Sequence, residues 1–590
     1  MTRRRVLITA IVGLLALLVT GCVSLPVSGG VVTAPNSEEE EQSDAPFDYA
    51  PPGPRAGDSP VAVVNGFLQA MTATPVTLQY AVKFLTEEAQ NNWEPEQGTV
   101  VYGSDTAAQA GNEVDVVLGD TVSLDGRGEW LGNTTGGDPI HYQLRLHRER
   151  GEWRIANPPD VLLIPQPHFE SRYQQYFLYF FEKSGQVLVP EPVYLPRGES
   201  ATTMLVRGLL RGPGRKLLGT ERTYLPASAE LEISAPVGKD GTAEVPLSDE
   251  ILDLDEDSLD RALGQLAWTL GQVPGVERMR ITVGGTALDI PGRGSSLEVD
   301  GWPEYDPAVN WASHELFGIR DGHVVNLVAG DERRIAGLFG AKDYGLESIA
   351  VDLPAQKVAG VTGDGTEVLV APRTRIPSGG ASPKTAYSGG QDLLEPAWDI
   401  YGKLWLIDRA GGRASLHVVA PDGSVTRLAV DGLTGEDVSA FVLSRDGTRL
   451  VAAVDGRKSD RLVLSRVVRR ADGTVRRVDP AASLPVGAID VHEIRDLAWR
   501  TPGSVALLTG PQPGLSQVII ALIDGSSALG DVASNAELFR DEATLLVTAP
   551  APGAALYVGT RSGQLFQLAA NGRWTGTSIK RGLRSPTYVG

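Results

Sequence analysis

Apolar residues recur along this chain at three different periods, and each period marks a different region. Between residues 59 and 93 the spacing is helical. Val61, Val64, Phe67, Leu68 and Met71 follow Ser59-Pro60, a capping serine with proline at the first helical position. A second helix is predicted over residues 77–93, with Tyr80, Phe84, Leu85 and Ala89 inward. Strands at 99–102, 113–118, 142–147 and 152–155 come next. Two helices leading into a curved antiparallel sheet predict a small α+β cone over 58–165. Residues 166–295 read as strand, helix, strand, helix, strand. An aromatic strand at 176–181 precedes a helix carrying Met204, Leu205, Leu209 and Leu210, which Gly212-Pro213-Gly214 stops. A helix at 258–271 turns Leu259, Ala262, Leu263, Leu266 and Leu270 inward, and a strand at 278–283 closes this α/β region.

From 296 to 590 the period changes again, to an apolar run, a glycine turn and a second apolar run. The copies end their first runs at Val351, Asp399, Leu443, Trp499 and Pro550, with gaps of 48, 44, 56 and 51 residues. A blade of four short strands needs ~40–50 residues. Asp-Gly pairs starting at 321, 364, 422, 446, 472 and 524 predict tight hairpins with positive φ. The pattern predicts an all-β propeller of six or seven blades, which leaves no long sheet edge exposed. A β-sandwich array or an open solenoid is the alternative.

The N-terminus has a different character. Arg3, Arg4 and Arg5 precede an apolar run over residues 6–20, shorter than the ~18–20 residues a spanning helix needs. Residues 1–21 therefore read as an export signal, cut between Gly21 and Cys22. The step Val19-Thr20-Gly21-Cys22 resembles the bacterial lipobox, which implies a diacylglycerol on the sulfur of Cys22 and an acyl chain on its freed amine. Cys22 is the single cysteine, so no internal disulfide is available. Residues 22–57, with Glu38–Glu41 and Pro46, Pro51, Pro52 and Pro54, read as a disordered tether. The net charge of −20 argues against nucleic-acid binding.

Catalytic chemistry is not legible. His314-Glu315 and His492-Glu493 lack the second histidine of a zinc protease motif, and no GxSxG elbow occurs. No metal or cofactor is expected. His141, His147 and Asp115 are candidates for a ligand in the mouth of the cone, without an acid–base pair placed by spacing. Asp253, Asp255 and Asp257 alternate like a calcium loop, but Ser258 and Gly264 stand where glycine and glutamate are needed. They are better read as negative charge at a helix N-terminus. The basic loop 211–216 follows a helix instead of opening one, so it is no phosphate cradle. A basic run, Arg457, Lys458, Arg461, Arg466, Arg469, Arg470, Arg476 and Arg477, reads as an outer strand facing water or as a surface for acidic partners or lipid.

The stretches "VVNGFLQAM" and "FLTEEAQNNWEPEQGTVVY" resemble the N-terminal domain of the actinobacterial LpqB lipoproteins, which implies an NTF2-like cone. "LVRGLLRGP" and "QLAWTLGQVPGVERMRITVGG" resemble a GerMN domain, and "FGIRDGHVV", "LLEPAWDIYGKLWLIDR" and "AFVLSRDGTRLVAAV" resemble the LpqB propeller. The resemblance implies a non-enzymatic lipoprotein, lipid-anchored on the extracytoplasmic face of the cell membrane. It also implies an accessory role to the MtrAB two-component system through the sensor kinase MtrB, affecting cell-wall homeostasis and division. A propeller enzyme acting on envelope carbohydrate, and a small-ligand sensor using the cone, are the alternatives.

Overall fold

The computed structural model describes residues 49–74, 77–214, 217, 219–309, 312–328, 331–374, 382–486, 491–526, 538–551 and 553–590. Residues 1–48, including the expected leader, Gly21 and Cys22, lie outside them. Residues 50–590 form one compact unit. Its first residues, at the end of the segment read as a tether, are held down: Pro51 is buried, and the Gly57 N–H donates to Glu152 at 3.0 Å.

Ser59 caps the first helix, Pro60–Ala70, by accepting from the Ala62 N–H. The helix buries Val63, Val64, Phe67 and Leu68, while Val61 is partly covered. Gly66 lets the Phe84 ring sit against the backbone, since a Cβ there would lie 2.4 Å from it. The single helix expected over 77–93 is instead two short pieces, a 3₁₀ turn Ala81–Phe84 and a helix Glu87–Asn92. The break comes where Thr86 takes an extended conformation and caps the second piece through Ala89 N–H. Phe84, Leu85 and Ala89 are buried as expected. Two four-stranded sheets complete the domain. One orders Trp130–Gly132, Val122–Asp125, Gly98–Tyr102 and Leu162–Pro165; the other orders Ser104–Ala110, Glu113–Gly119, Ile140–Glu149 and Glu152–Ile155.

In the second region a long hairpin, Tyr173–Glu182 with Leu188–Pro196, carries helices Ala201–Leu210 and Glu256–Leu270. The hairpin's second strand, with three prolines among nine residues, had no clear strand signal. Strand Thr242–Leu247 lies parallel to Arg278–Val283. Asp255 caps the longer helix by accepting from Ser258 N–H at 2.7 Å. The aspartate run is therefore a helix start, with a capping contribution of ~1 kcal/mol.

The third region is propeller-like. Among the described residues it contains six antiparallel sheets, whose innermost strands are Arg584–Thr587, Leu346–Val351, Ala397–Trp398, Val438–Leu443, Ile494–Thr501 and Ala543–Val547. Each contacts the next, and the last contacts the first, so the ring is closed. The closing strand comes from the chain's far end: Arg584–Thr587 pairs with Leu316–Arg320, completing the sheet that begins the domain. Asp321-Gly322 has positive φ at both residues, as its hairpin requires. At the other five Asp-Gly pairs only glycine is positive. There the aspartate carboxylate accepts from the N–H two residues on (Thr366, Ser424, Thr448, Thr474 or Ser526) and stabilises the turn itself.

Candidate functional site

The innermost strands surround a cavity of about 500 Å³. Glu347, Glu395, Ser439, Asp496, Thr544 and Ser585 line it near the starts of those strands; Arg445, Trp499, Thr548 and Val589 line it near their ends. At the latter end Arg445 donates to the carbonyls of Ala308 (2.9 Å) and Val589 (3.2 Å).

Two acids dominate the other end. Glu395 is exposed to the channel, whose walls still thin out the solvent around its carboxyl. That desolvation, with the charge of Asp496, pushes its carboxyl up to about 8. Ser585 Oγ donates to it at 3.4 Å and works against the shift. Burial raises Asp496 to about 7, held back by the N–H groups of Leu546 (2.7 Å) and Leu497 (2.8 Å). A carboxyl whose value is raised in the folded state contributes full stability below about 4.5, and that contribution falls as pH rises through its folded value. Glu395→Gln is thus expected to match the parent at pH 5 and to melt higher at pH 8.5, by only ~1–2 °C because solvent screens this exposed group. Thermal denaturation at the two pH values checks this.

The hairpin of the second region docks on the opposite end of the ring, against turns that join first to second strands. Glu191 is the centre of the contact. It ion-pairs with Arg449, which is fully buried, and with Arg466 at 2.7 Å; Arg449 also meets Asp446 at 3.2 Å. Burial opposes ionisation of Glu191, but Arg466 and Arg449 outweigh it and hold the carboxyl down to about 2. Burial, and then the charge of Glu191, push the Glu221 carboxyl well above the ordinary value, against the pull of Arg466 beside it at 3.2 Å. Around this core Tyr401 donates to Glu182 at 2.7 Å, Tyr194 donates to Asp524 at 3.1 Å, and Phe177 packs on Gly503. The first domain joins the same hairpin: Tyr194 N–H donates to Gly128 O at 2.8 Å, and Arg127 donates to Gly212 O at 2.9 Å. Arg211 in the basic loop reaches Gly126 O, which gives that loop a structural task.

The residues singled out from sequence fall differently. Asp115 and His141 meet at 3.4 Å, but on the outward side of the strand pair, because Val114, Val116 and Leu118 take the core side. His147 sits opposite Arg154 on exposed strand surface. Glu315 pairs with Arg373 and Glu493 with Arg495, so both His-Glu pairs have structural carboxylates. The basic run needs correction. Arg466 is partly buried and Arg469 buried, and both are engaged within the protein: Arg466 binds Glu191 and Glu221, and Arg469 binds Asp399 at 2.9 Å. Arg457, Lys458, Arg461, Arg470, Arg476 and Arg477 are exposed. The acids the sequence reading passed over, Glu191 and Glu395, each precede a proline inside an apolar run, an unusual place for a solvated carboxylate.

Family models agree with this three-part body. Residues 53–170 match the lipoprotein LpqB N-terminal domain, residues 177–289 the sporulation and spore germination (Germane) domain, and residues 322–530 the lipoprotein LpqB beta-propeller domain. The chain is 28% identical over 611 residues to Lipoprotein LpqB of Thermobifida fusca (strain YX), covering 92% of this chain and 93% of that protein. It is 26% identical over 552 residues to Lipoprotein LpqB of Mycolicibacterium smegmatis, covering 87% and 88%. Among solved structures it is similar to TolB from Acinetobacter baumannii (15% identity, 47% of this chain and 66% of that one, TM-score 0.31). It is also similar to the first GerMN domain of GerM from Bacillus subtilis (25% identity, 21% and 97%, TM-score 0.19). The two LpqB models flank the Germane match in the order of the observed domains, and full-length relatives span all three; the chain belongs to the LpqB lipoprotein family.

Proposed function

We propose that this protein is an interaction module held at the extracytoplasmic face of the cell membrane by lipid on Cys22, and that it binds the extracytoplasmic domain of an MtrB-type sensor kinase. Its family places it among envelope lipoproteins. No helix among the described residues is long and apolar enough to cross a membrane. We read the first domain as an NTF2-like cone and the last as a six-bladed propeller, in keeping with two sheets in the one and a closed ring of six in the other.

One observation carries the reading. The buried charge cluster around Glu191 ties the hairpin to one end of the ring and leaves the strand-start end of the channel pointing away from it. A body so joined presents one fixed surface. Two proteins confined to one leaflet meet at high effective concentration, so a modest contact suffices. The test is co-reconstitution of the full lipidated chain with the sensor in one vesicle, followed by cross-linking. Recovery of a one-to-one product is expected, and its absence at native surface density overturns the reading.

A second reading, a propeller enzyme acting on envelope carbohydrate, keeps one point in its favour: Glu395 and Asp496 are inward acids with raised proton affinity. Release of reducing sugar from purified envelope, lost in Glu395→Gln, is the result that favours it.

A further inference from the structure

We propose that strand Ser104–Ala110 of the first domain is a docking edge for the same strand of a second copy of this chain, the two running antiparallel about a twofold axis at Ala107. On one side the strand pairs with Glu113–Gly119, from Ser104 with Gly119 to Ala110 with Glu113, without a bulge. Among the described residues no strand pairs with its other side. Six of its seven side chains are exposed, and Ala107 is half-buried. In an antiparallel ladder alternate residues turn their N–H and C=O groups outward, so such an edge offers a row of donors and acceptors.

Other edges of the body are guarded. The outer strands Asp331–Arg334, Lys384–Ser388, Val425–Leu428 and Val475–Val478 of the β domain each carry lysine or arginine. Strands Leu188–Pro196 and Thr242–Leu247 carry proline. These are the devices that keep a sheet edge from pairing with another chain, and Ser104–Ala110 has none of them.

The strand's own sequence selects the occupant. Centring the pair on Ala107 gives the longest overlap of the strand with itself. It sets Ser104 opposite Ala110, Thr106 opposite Ala108 and Asp105 opposite Gln109. Small side chains let the two edges approach, and each Asp105 carboxylate meets an amide. Gln109 Nε2 spends one N–H on Gly111 O at 2.8 Å and keeps the other to donate. Centring on Asp105 instead would place like charges directly opposite, which is unfavourable. Twofold pairing consumes both edges and stops at two chains. The far edge of the same sheet, Glu152–Ile155, is short and carries Arg154. One strand pair buries less than a standard interface, so the dimer is weak and exchanges quickly.

Disulfide trapping in the full chain, in detergent solution, tests this. A Cys22→Ser background leaves the introduced thiols alone. Chains carrying Thr106→Cys are mixed with chains carrying Ala108→Cys and mildly oxidised. A mixed dimer is expected, with little dimer from either population by itself. In this register 106 faces 108 of the other copy, whereas the two copies of either residue stand beyond the ~7 Å that a disulfide can span. Gln109→Asp sets an acid against each Asp105 and should cut the yield about fivefold, while Gln109→Lys should raise it by a similar factor. Position 109 is exposed, so both variants should melt with the parent. Absence of a disulfide, equal dimer from mixed and separate populations, or equal yields in Gln109→Asp and Gln109→Lys overturns the proposal.

Discussion

Deleting residues 583–590 should abolish the cooperative unfolding transition of the β domain. Those residues supply the innermost strand of the first sheet, pairing Phe317 with Thr587 and Ile319 with Arg584. They also bury Leu583, Tyr588 and Val589, and Ser585 Oγ accepts from Ile349 N–H in the next sheet at 3.0 Å. At ~1.5–3 kcal/mol for each fully buried apolar side chain, the three alone approach the ~5–15 kcal/mol that ordinarily keeps a domain folded. The deletion also bares the edge of Leu316–Arg320 and opens the ring, which invites pairing between molecules. Calorimetry of the full chain and the deletion checks this. A β-domain transition that survives within a few degrees would mean that ring closure contributes little. Leu583→Ala, a milder change at the same place, should cost about 2–5 kcal/mol.

Glu191→Ala should be the most damaging single substitution at the junction. It removes the anion shared by Arg449, which no water reaches, and Arg466. Removing one partner from a buried pair costs about 3–5 kcal/mol, because the other charge stays behind unpaired. The melt of the variant should split, with the β domain unfolding apart from the two domains before it. The pH dependence carries a sign. A carboxyl held down to about 2 gives its full stabilisation above the ordinary value near 4.5, and loses it as pH falls from there through about 2. Glu221, held up, acts oppositely: its contribution is complete below 4.5 and declines as pH rises through its folded value. Urea unfolding at pH 7, 4 and 2.5 should show the parent losing its advantage over Glu191→Ala in the acid range. Equal stability of the two at pH 7 would contradict the junction's role.

How much of this was visible in the chain depends on how local the signal is. Helix Glu256–Leu270 and the inner strands Leu346–Val351 and Val438–Leu443 were legible, because one apolar stripe or one apolar run defines each. Strand Arg584–Thr587 was not legible, and the copy read at 547–550 runs past the end of its strand, Ala543–Val547. The break before Thr86 was not, since a serine-like cap can sit inside a stretch of helical periodicity. Strand Leu188–Pro196 was hidden by its prolines, and strand Ser104–Ala110 by side chains that are almost all exposed. The repeat spacing allows six or seven blades, and no pattern along the chain joins residue 317 to residue 587, which pair in one sheet built from both ends of the domain. The site was the least legible part. Arg466 meets Glu191 across 275 positions, so a run of arginines that looks like surface charge becomes the floor of a domain junction. Glu-Pro inside an apolar run, at 191 and at 395, is the local sign that was available.

The most direct measurement concerns Cys22, the residue proposed to hold this body at the membrane. Cells producing the parent chain and Cys22→Ser should be fractionated, and the N-terminal peptide of each protein weighed by mass spectrometry. A parent peptide that begins at Cys22 and carries acyl chains, with the serine variant released from membranes or retained as an uncut precursor, is the predicted result. An unmodified Cys22 in a mature chain that stays as firmly with the membrane as its serine variant would contradict the account.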